Sequence, residues 1–292
     1  MKIRARVALM EAIRMWDVVF ENFLLTCKIV LMVFVLLVII EYLEVKYENR
    51  LRDLLQGRPL RQCVIASLLG AVPGCMDAFL IVSLYIHGFV GFGALVAVML
   101  STAGDEAFIM LAIAPEAAGK IFGITIILGI IGGLLADKIV NYLKIRTCEN
   151  CEIEIHEEKT SSHFLREHVY EHIIKEHLPK LFLWIFIPLT LIELLIKNFD
   201  FAPLISELPI WVLIILAALV GILPESGPHM IFLLLYSKGL VPFSVLLVST
   251  LSQDGHGLLP LLSHTVKDTV YVQIFTTVFS IIVGILLYYF RI

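Results

Sequence analysis

Apolar residues run along this chain in blocks of two kinds. Four blocks are uninterrupted, at roughly 22–42, 118–142, 179–198 and 268–290, and each can cross ~30 Å of hydrocarbon as a simple helix. Four others, 60–87, 90–114, 208–238 and 240–264, are long enough to span but carry helix breakers in the middle. The breakers are Pro73-Gly74, Ser101 to Asp105, Pro224 to Pro228, and Ser252 to Gly255. At membrane depth such breaks free backbone groups that lipid cannot satisfy, so they predict burial in protein or contact with a wet cavity. Packed proline kinks would account for one break alone. Four breaks in register point to a built site.

The register comes from a repeat. Without a gap, the stretch from Gly70 overlays the stretch from Gly221, matching Gly70/Gly221, Pro73/Pro224, Leu84/Leu235, Tyr85/Tyr236, Gly88/Gly239, Phe92/Phe243, Leu100/Leu251, Ser101/Ser252 and Gly104/Gly255. Broken helices repeated in two halves are the mark of a midplane site in a repeat-built transporter. If 60–87 and 208–238 are re-entrant hairpins, each half has three crossings plus a hairpin. If both arms cross, each half has five. Either odd number inverts the second copy, whereas unbroken crossings would give four per half and a parallel repeat. The expected fold is an all-α polytopic membrane protein. It consists of two inverted repeats, each with scaffold helices and a broken or re-entrant helix pair meeting near the midplane.

Composition agrees. The 292 residues are 59% hydrophobic and 16% charged with a mean hydropathy of +0.93, which excludes an ordinary soluble domain. The net charge of −4 argues against nucleic acid as a partner. Residues 1–20 mix charges into an amphipathic pattern without a clean apolar core or cleavage site, and read as an interfacial helix. The remaining divisions are a first membrane repeat (21–142), a hydrophilic cytoplasmic linker (143–178) and a second repeat (179–292). Five cysteines, an odd number with three in or beside spans, indicate no disulfide framework. Lys46, Arg50, Arg52, Arg58 and Arg61 in one loop and Lys144, Arg146, Lys159, Arg166, Lys175 and Lys180 in the linker place both loops on the cytoplasmic side. Lys2, Arg4, Arg6 and Arg14 would then lie outside, against the rule. The expected location is the inner, or cell, membrane, crossed many times.

The ionisable residues near the breaks carry the chemistry: Asp77, Asp105, Glu106, Glu225, His229, Asp254 and His256, with Cys75, Ser101, Ser226 and Gln253 as further donors. Five lipid-exposed carboxylates would cost about 15 kcal/mol on the insertion scale, so they must face a polar site. Carboxylates with one or two imidazoles suit a divalent cation of the manganese, iron or zinc group, and an oxygen-dominated shell favours manganese. Cys75 is the one thiol at a break, so one chain offers no three-thiolate arsenite site there. Asp77, Asp105 and Ser226 can alternatively cap the half-helices that follow them, and the dipole at a half-helix start favours an acid at Glu106 in any case. Half-helix N-termini could instead hold an anion, as in carboxylate transporters, but the acidic excess opposes this. The scaffold positions are shared between copies while ligand-capable ones differ: Asp77 aligns with Pro228, Asp105 with His256 and Cys75 with Ser226. One frame is used twice and one site once.

EYLEV from Glu41, GAVPGCMDAF, SLYIHG, FGALVAVMLSTAGDEAFIMLA, the run REHVYEHIIKEHLPKLFLW from Arg166, SGPHMIF and SQDGHGLLPLL together resemble the ten-transmembrane heavy-metal exporter family, whose members are named manganese transporters or arsenic efflux proteins. The likeness covers most of the chain from about Phe23. It implies a permease exporting a metal or metalloid. Its motif residues fall on Pro73, Gly74, Cys75, Ser101, Gly104, Asp105, Glu106, Ser226, Gly227, Pro228, His229, Gln253, Asp254, Gly255 and His256. The chain departs from the pattern at Glu225, where a small or polar residue is expected.

Five of the nine histidines fall in the linker, where Cys148 and Cys151 have the spacing of half a zinc knuckle and His168 and His172 stand four apart on one predicted helix. These residues could form an accessory cytoplasmic metal site, or the segment is a solvated amphipathic helix with an acidic leader. HVYEH also matches the His-x-x-Glu-His pattern of zinc peptidases, a rival reading that does not need the repeated breaks. No GxxxxGK[ST] loop is present, so an ATP motor would have to be separate. The expectation is a secondary active exporter of a divalent transition metal, manganese first, by proton antiport. It is not an enzyme and requires no cofactor beyond the ion as substrate. The lipid bilayer and a second copy of the chain are its candidate partners. Arsenite or organoarsenical efflux and anion transport are the alternatives.

Overall fold

The computed structural model describes residues 58–74, 76–145, 147, 207–223 and 227–290, with scattered positions between 16 and 55 and between 179 and 194. Each interrupted block folds as two short helices on either side of its break. In the first half these are α1 (Pro59–Gly70) and α2 (Met76–Ile86), then α3 (Phe92–Ser101) and α4 (Glu106–Ile113), followed by the unbroken α5 (Pro115–Leu143). In the second half they are α6 (Ile210–Val220) and α7 (Met230–Ser237), then α8 (Phe243–Ser252), a 3-10 turn at Gly255–Gly257, α9 (Leu258–His264) and the unbroken α10 (Val266–Tyr289). No strand occurs among the described residues.

Among the described residues, α5 and α10 are the two helices long and apolar enough to cross a membrane by length and composition. Both begin slightly before the expected 118–142 and 268–290. Pro115 opens α5 at a position where a missing N–H costs nothing, and the Thr265 side chain caps α10 by accepting the Asp268 N–H. The expected spans at 22–42 and 179–198 are described in part, and each described position in them is helical, whereas most of the expected N-terminal helix and most of the linker lie outside the described residues.

The repeat recurs in backbone and packing. Each of the helices α1 to α5 has a counterpart among α6 to α10 at the offset relating Gly70 to Gly221. Gly104 and Gly255 have φ of 51° and 55°, a left-handed turn that favours glycine, so the chain leaves one helix and starts the next the same way in both copies. Tyr85 meets Phe92 edge-on with ring centroids 6.4 Å apart, and Tyr236 meets Phe243 at the same 6.4 Å.

Small residues bring the backbones together, as they must where lipid supplies no hydrophobic drive between helices. A Cβ on Gly133 of α5 would stand 2.5 Å from the Gly93 carbonyl oxygen and 2.8 Å from the Ala97 Cβ. One on Gly284 of α10 would strike Val248, the counterpart of Ala97. Gly70 and Gly221, at the ends of α1 and α6, abut Ser101 and Ser252 in the same way. All ten residues of α3 are buried, and α8 is buried from Ser244 onward, so these two helices form the centre of their halves.

Hydrogen bonds give the directions. Gln62, near the start of α1, accepts the Gly91 N–H at 3.1 Å and donates to the Phe89 carbonyl at 3.4 Å, both in the turn before α3. Since Gly70 meets Ser101 at the other end, α1 and α3 run side by side in one direction, and the far end of α2 returns to where α1 began. α5 runs opposite to them. Asp137, near its C-terminal end, accepts the Gly93 N–H at 2.6 Å, while the Thr125 hydroxyl donates to the Ser101 carbonyl at 3.4 Å. α3 has no side-chain cap of its own, so Asp137 satisfies one of its free N–H groups from a neighbouring helix.

The halves meet reciprocally. α2 packs on α9, with Ala78 against Gly257, and α4 packs on α7. The C-terminal half of α5 and the N-terminal half of α10 flank this seam, with an open apolar pocket of about 390 Å³ between them lined by Leu135, Ile139, Tyr271, Phe275 and Phe279. At one edge of this seam the Tyr85 hydroxyl donates to the Asp268 carboxylate at 2.8 Å.

Candidate substrate site at the helix breaks

Two of the four breaks are tied together by backbone. The Gly74 N–H donates to the Gly104 carbonyl at 3.2 Å, bridging the break after α1 to the break after α3. The other break after a central helix, between α8 and the 3-10 turn, comes in from the second half. Thr102 and Gln253 close α3 and α8 with matching extended backbones (φ −75°, ψ 135° and φ −77°, ψ 124°). Both therefore turn away from the helix axis at the same point.

Glu106 is the first residue of α4, and its side chain is fully buried. The Gln253 amide donates to its carboxylate, Nε2 to Oε2, at 3.1 Å. This bond joins a carboxylate of the first half to an amide of the second. Glu106 Oε1 and Gln253 Oε1 are both buried and have no hydrogen-bond partner among the described residues. Asp254, next to Gln253, is 1% exposed, and both of its carboxylate oxygens are likewise unpartnered. The neighbouring Thr276 hydroxyl donates to the Gln273 carbonyl of its own helix. A carboxylate taken out of water without donors is unstable as a bare anion; a proton or a cation meets the need.

His229 sits at the cap position of α7 with its ring buried. Nδ1 lies 3.2 Å from the Ser249 hydroxyl, while Nε2 has no partner among the described residues. Ser249 precedes Gln253 by one helical turn, so the end of α8 touches His229 at one level and Glu106 at the next. Asp77 is buried in the first turn of α2, and Asp105 is buried at the cap position of α4. The capping reading is modified here. Asp105 holds the position without a side-chain cap bond, and Asp77 lies one residue inside its helix. The Ser101 hydroxyl donates back to Ala97 and Val98 of its own helix, at 2.9 and 3.1 Å, where it packs on Gly70.

Cys75, Glu225, Ser226, Cys148, Cys151, His168 and His172 lie outside the described residues, and His256 is described in its backbone alone. Among the described residues no three His, Cys, Asp or Glu side chains form a group that could hold one metal ion. What the breaks do present is a set of buried polar atoms without partners among the described residues: oxygens of Glu106, Gln253 and Asp254, and the Nε2 of His229. Gly257 occupies the place equivalent to Glu106, and a Cβ there would strike Ala78. Packing by α2 thus excludes a second carboxylate, and the frame used twice carries this acid once.

Sequence reasoning did not single out Gln62, Asp137, Tyr85 or Asp268 as polar anchors. A signal existed for the two aspartates, since each is an acid within an otherwise apolar span.

A family model described as "Putative, 10TM heavy-metal exporter" matches residues 19–210 and 182–291. No curated protein and no solved structure matches the chain. The matched stretches take in both halves, the four breaks and the polar atoms buried there. A chain with this repeated, broken-helix frame and this extent of match belongs to the ten-transmembrane heavy-metal exporter family, a family of multi-span membrane transporters and not of enzymes.

Proposed function

We propose that this chain is a secondary active exporter of a divalent transition-metal cation, manganese before others, working by proton antiport through one site at the breaks. The observation that carries the reading is the Glu106–Gln253 bond, with unpartnered buried oxygens on both of these residues and on Asp254, the next residue in the chain. Oxygen donors with an imidazole at hand favour manganese over soft ions. Cys63, a buried thiol of α1, sits beside Gly133 of α5 and away from these residues, so it gives no support to an arsenite site.

The inverted arrangement is part of the same proposal. The start of α1 and the end of α2 lie at one end of the first half, as a re-entrant hairpin requires. Asp137, near the end of α5, lies at the level of the start of α3, whereas Asp268, at the start of α10, is bonded to Tyr85 at the end of α2. The two unbroken helices therefore run in opposite directions, which supports a half-turn about an axis in the membrane plane. Basic loops before α1 and after α5 mark that end as cytoplasmic.

Metal ligands must shed their protons before they bind, so protons arriving from outside can expel the ion. In this scheme Asp254 and His256 alternate between metal and proton, with Asp105 and Glu106 contributing from the other half. The linker residues Cys148, Cys151, His168 and His172 would capture metal before it enters. The test is metal-stimulated proton release in inside-out vesicles. Replacing both Asp254 and His256 with alanine is expected to abolish the release. Unchanged release in the double variant would rule out this assignment.

A further inference from the structure

Tyr85 and Tyr236 hold the same place in the two copies, at the outer ends of α2 and α7, each edge-on to the phenylalanine that opens the next helix. Their other neighbours differ. Tyr85 donates to Asp268 in the first turn of α10, where Tyr85 and Asp268 are each 1% exposed. Tyr236 is half-buried and lies near Lys120 in the early part of α5, whose amine pairs with Glu116 at 2.7 Å on an exposed surface. One end of the molecule is thus closed by a dry tyrosine–carboxylate contact between the halves, and the related place at the other end carries an exposed ion pair.

We infer that the Tyr85–Asp268 hydrogen bond is a latch that holds the cytoplasmic end of the transport path closed. α2 connects this latch to the breaks. Ala78, Val82 and Tyr85 recur at helical spacing along it, and all three are buried. Ala78 rests on Gly257 and Tyr85 on Asp268, so movement of α2 away from α9 and α10 exposes this stripe and opens a way in to Asp77, Glu106 and Asp254. Asp268 is held from behind, because its own N–H bonds Thr265. Tyr85 and Asp268 therefore act as positioning residues and do not touch the ion.

The inference rests on the proposed alternating-access reading and its orientation, but its test needs no transported ion. In a cysteine-free full-length chain reconstituted in vesicles, Val82→Cys is labelled by a membrane-impermeant maleimide from the cytoplasmic side. Adding Tyr85→Phe is expected to raise the labelling rate about tenfold, the population change that follows from losing one hydrogen bond to a carboxylate. Asp268→Asn, which keeps an acceptor but loses the charge, should give a smaller rise. Tyr236→Phe should leave the rate unchanged. A cysteine at Val98 in α3 should stay protected in all of them, which separates unlatching from general loosening. An unchanged rate in both Tyr85→Phe and Asp268→Asn, or equal gains at Val82→Cys and Val98→Cys, would overturn the latch. Metal transport by the unmodified chain would stand or fall separately.

Discussion

Glu106→Gln is expected to stop transport while leaving the protein folded. The substituted amide still offers a carbonyl oxygen to the Gln253 donor, so the contact between the halves survives while the charge is lost and the second oxygen becomes an NH2 donor. Even outer partners of metal ligands are worth about 10–100-fold in affinity, so, with Glu106 a direct ligand as proposed, loss of its charge should reduce initial uptake by roughly 100-fold or more. Glu106→Ala should abolish uptake as well and also lower stability, because Gln253 then has a buried donor with no acceptor. The pair of variants separates the two roles of this side chain. Initial rates in inside-out vesicles, with thermal unfolding in detergent alongside, check both. Wild-type rates in Glu106→Gln would remove Glu106 from the ion path.

The second large effect is structural. Gly133→Ala places a methyl against the Gly93 carbonyl, Ala97 and Cys63 at the junction of α1, α3 and α5. Two of these obstacles, the Gly93 carbonyl and the Ala97 Cβ, belong to the rigid body of α3 and cannot swing aside. Overpacking of this kind costs about 1–3 kcal/mol, and a clash with backbone belongs at or above the upper end. Gly123→Ala, on the same helix with nothing within 4 Å, is the matched control and should fall within about 0.5 kcal/mol of wild type. Gly284→Ala should lose stability by a smaller amount, since the added methyl meets the side-chain carbons of Val248 and Ile214 and no backbone atom. Melting temperatures of the purified variants check all three. Equal stabilities for Gly133→Ala and Gly123→Ala would contradict the close packing of α5 on α3.

Much of this fold is written locally. Pro73-Gly74 and the Ser101–Asp105 stretch interrupt apolar runs, and helices cannot continue through them without freeing backbone groups, so the boundaries of α1 to α4 were legible. The gapless overlay from Gly70 and Gly221 carried the second half with it, down to the matched left-handed glycines Gly104 and Gly255. The contacts that join distant segments have no local signature. Nothing in the spacing of Tyr85 tells that its hydroxyl meets Asp268, and nothing near Gln62 tells that it holds the turn at Gly91. Asp137 could be noticed as an acid in an apolar run, but its service to the N-terminus of α3 depends on how α5 crosses that helix. Glu106 and Gln253 were both legible as polar residues at breaks. Their bond was not, because it requires the two halves to be laid together. The cap position at Asp105 was legible as one of two readings of that residue, whereas the absence of a side-chain cap bond there was not, because it depends on how the break is packed.

Uptake by inside-out vesicles of the unmodified chain, compared across manganese, zinc, iron, cobalt, arsenite and a trivalent organoarsenical with and without an imposed proton gradient, tests the central claim most directly. Manganese should accumulate fastest, with proton release that scales with uptake and disappears in Glu106→Gln. Accumulation of arsenicals alone, or manganese uptake indifferent to both the gradient and Glu106, would contradict an oxygen-lined, proton-coupled cation site at the breaks.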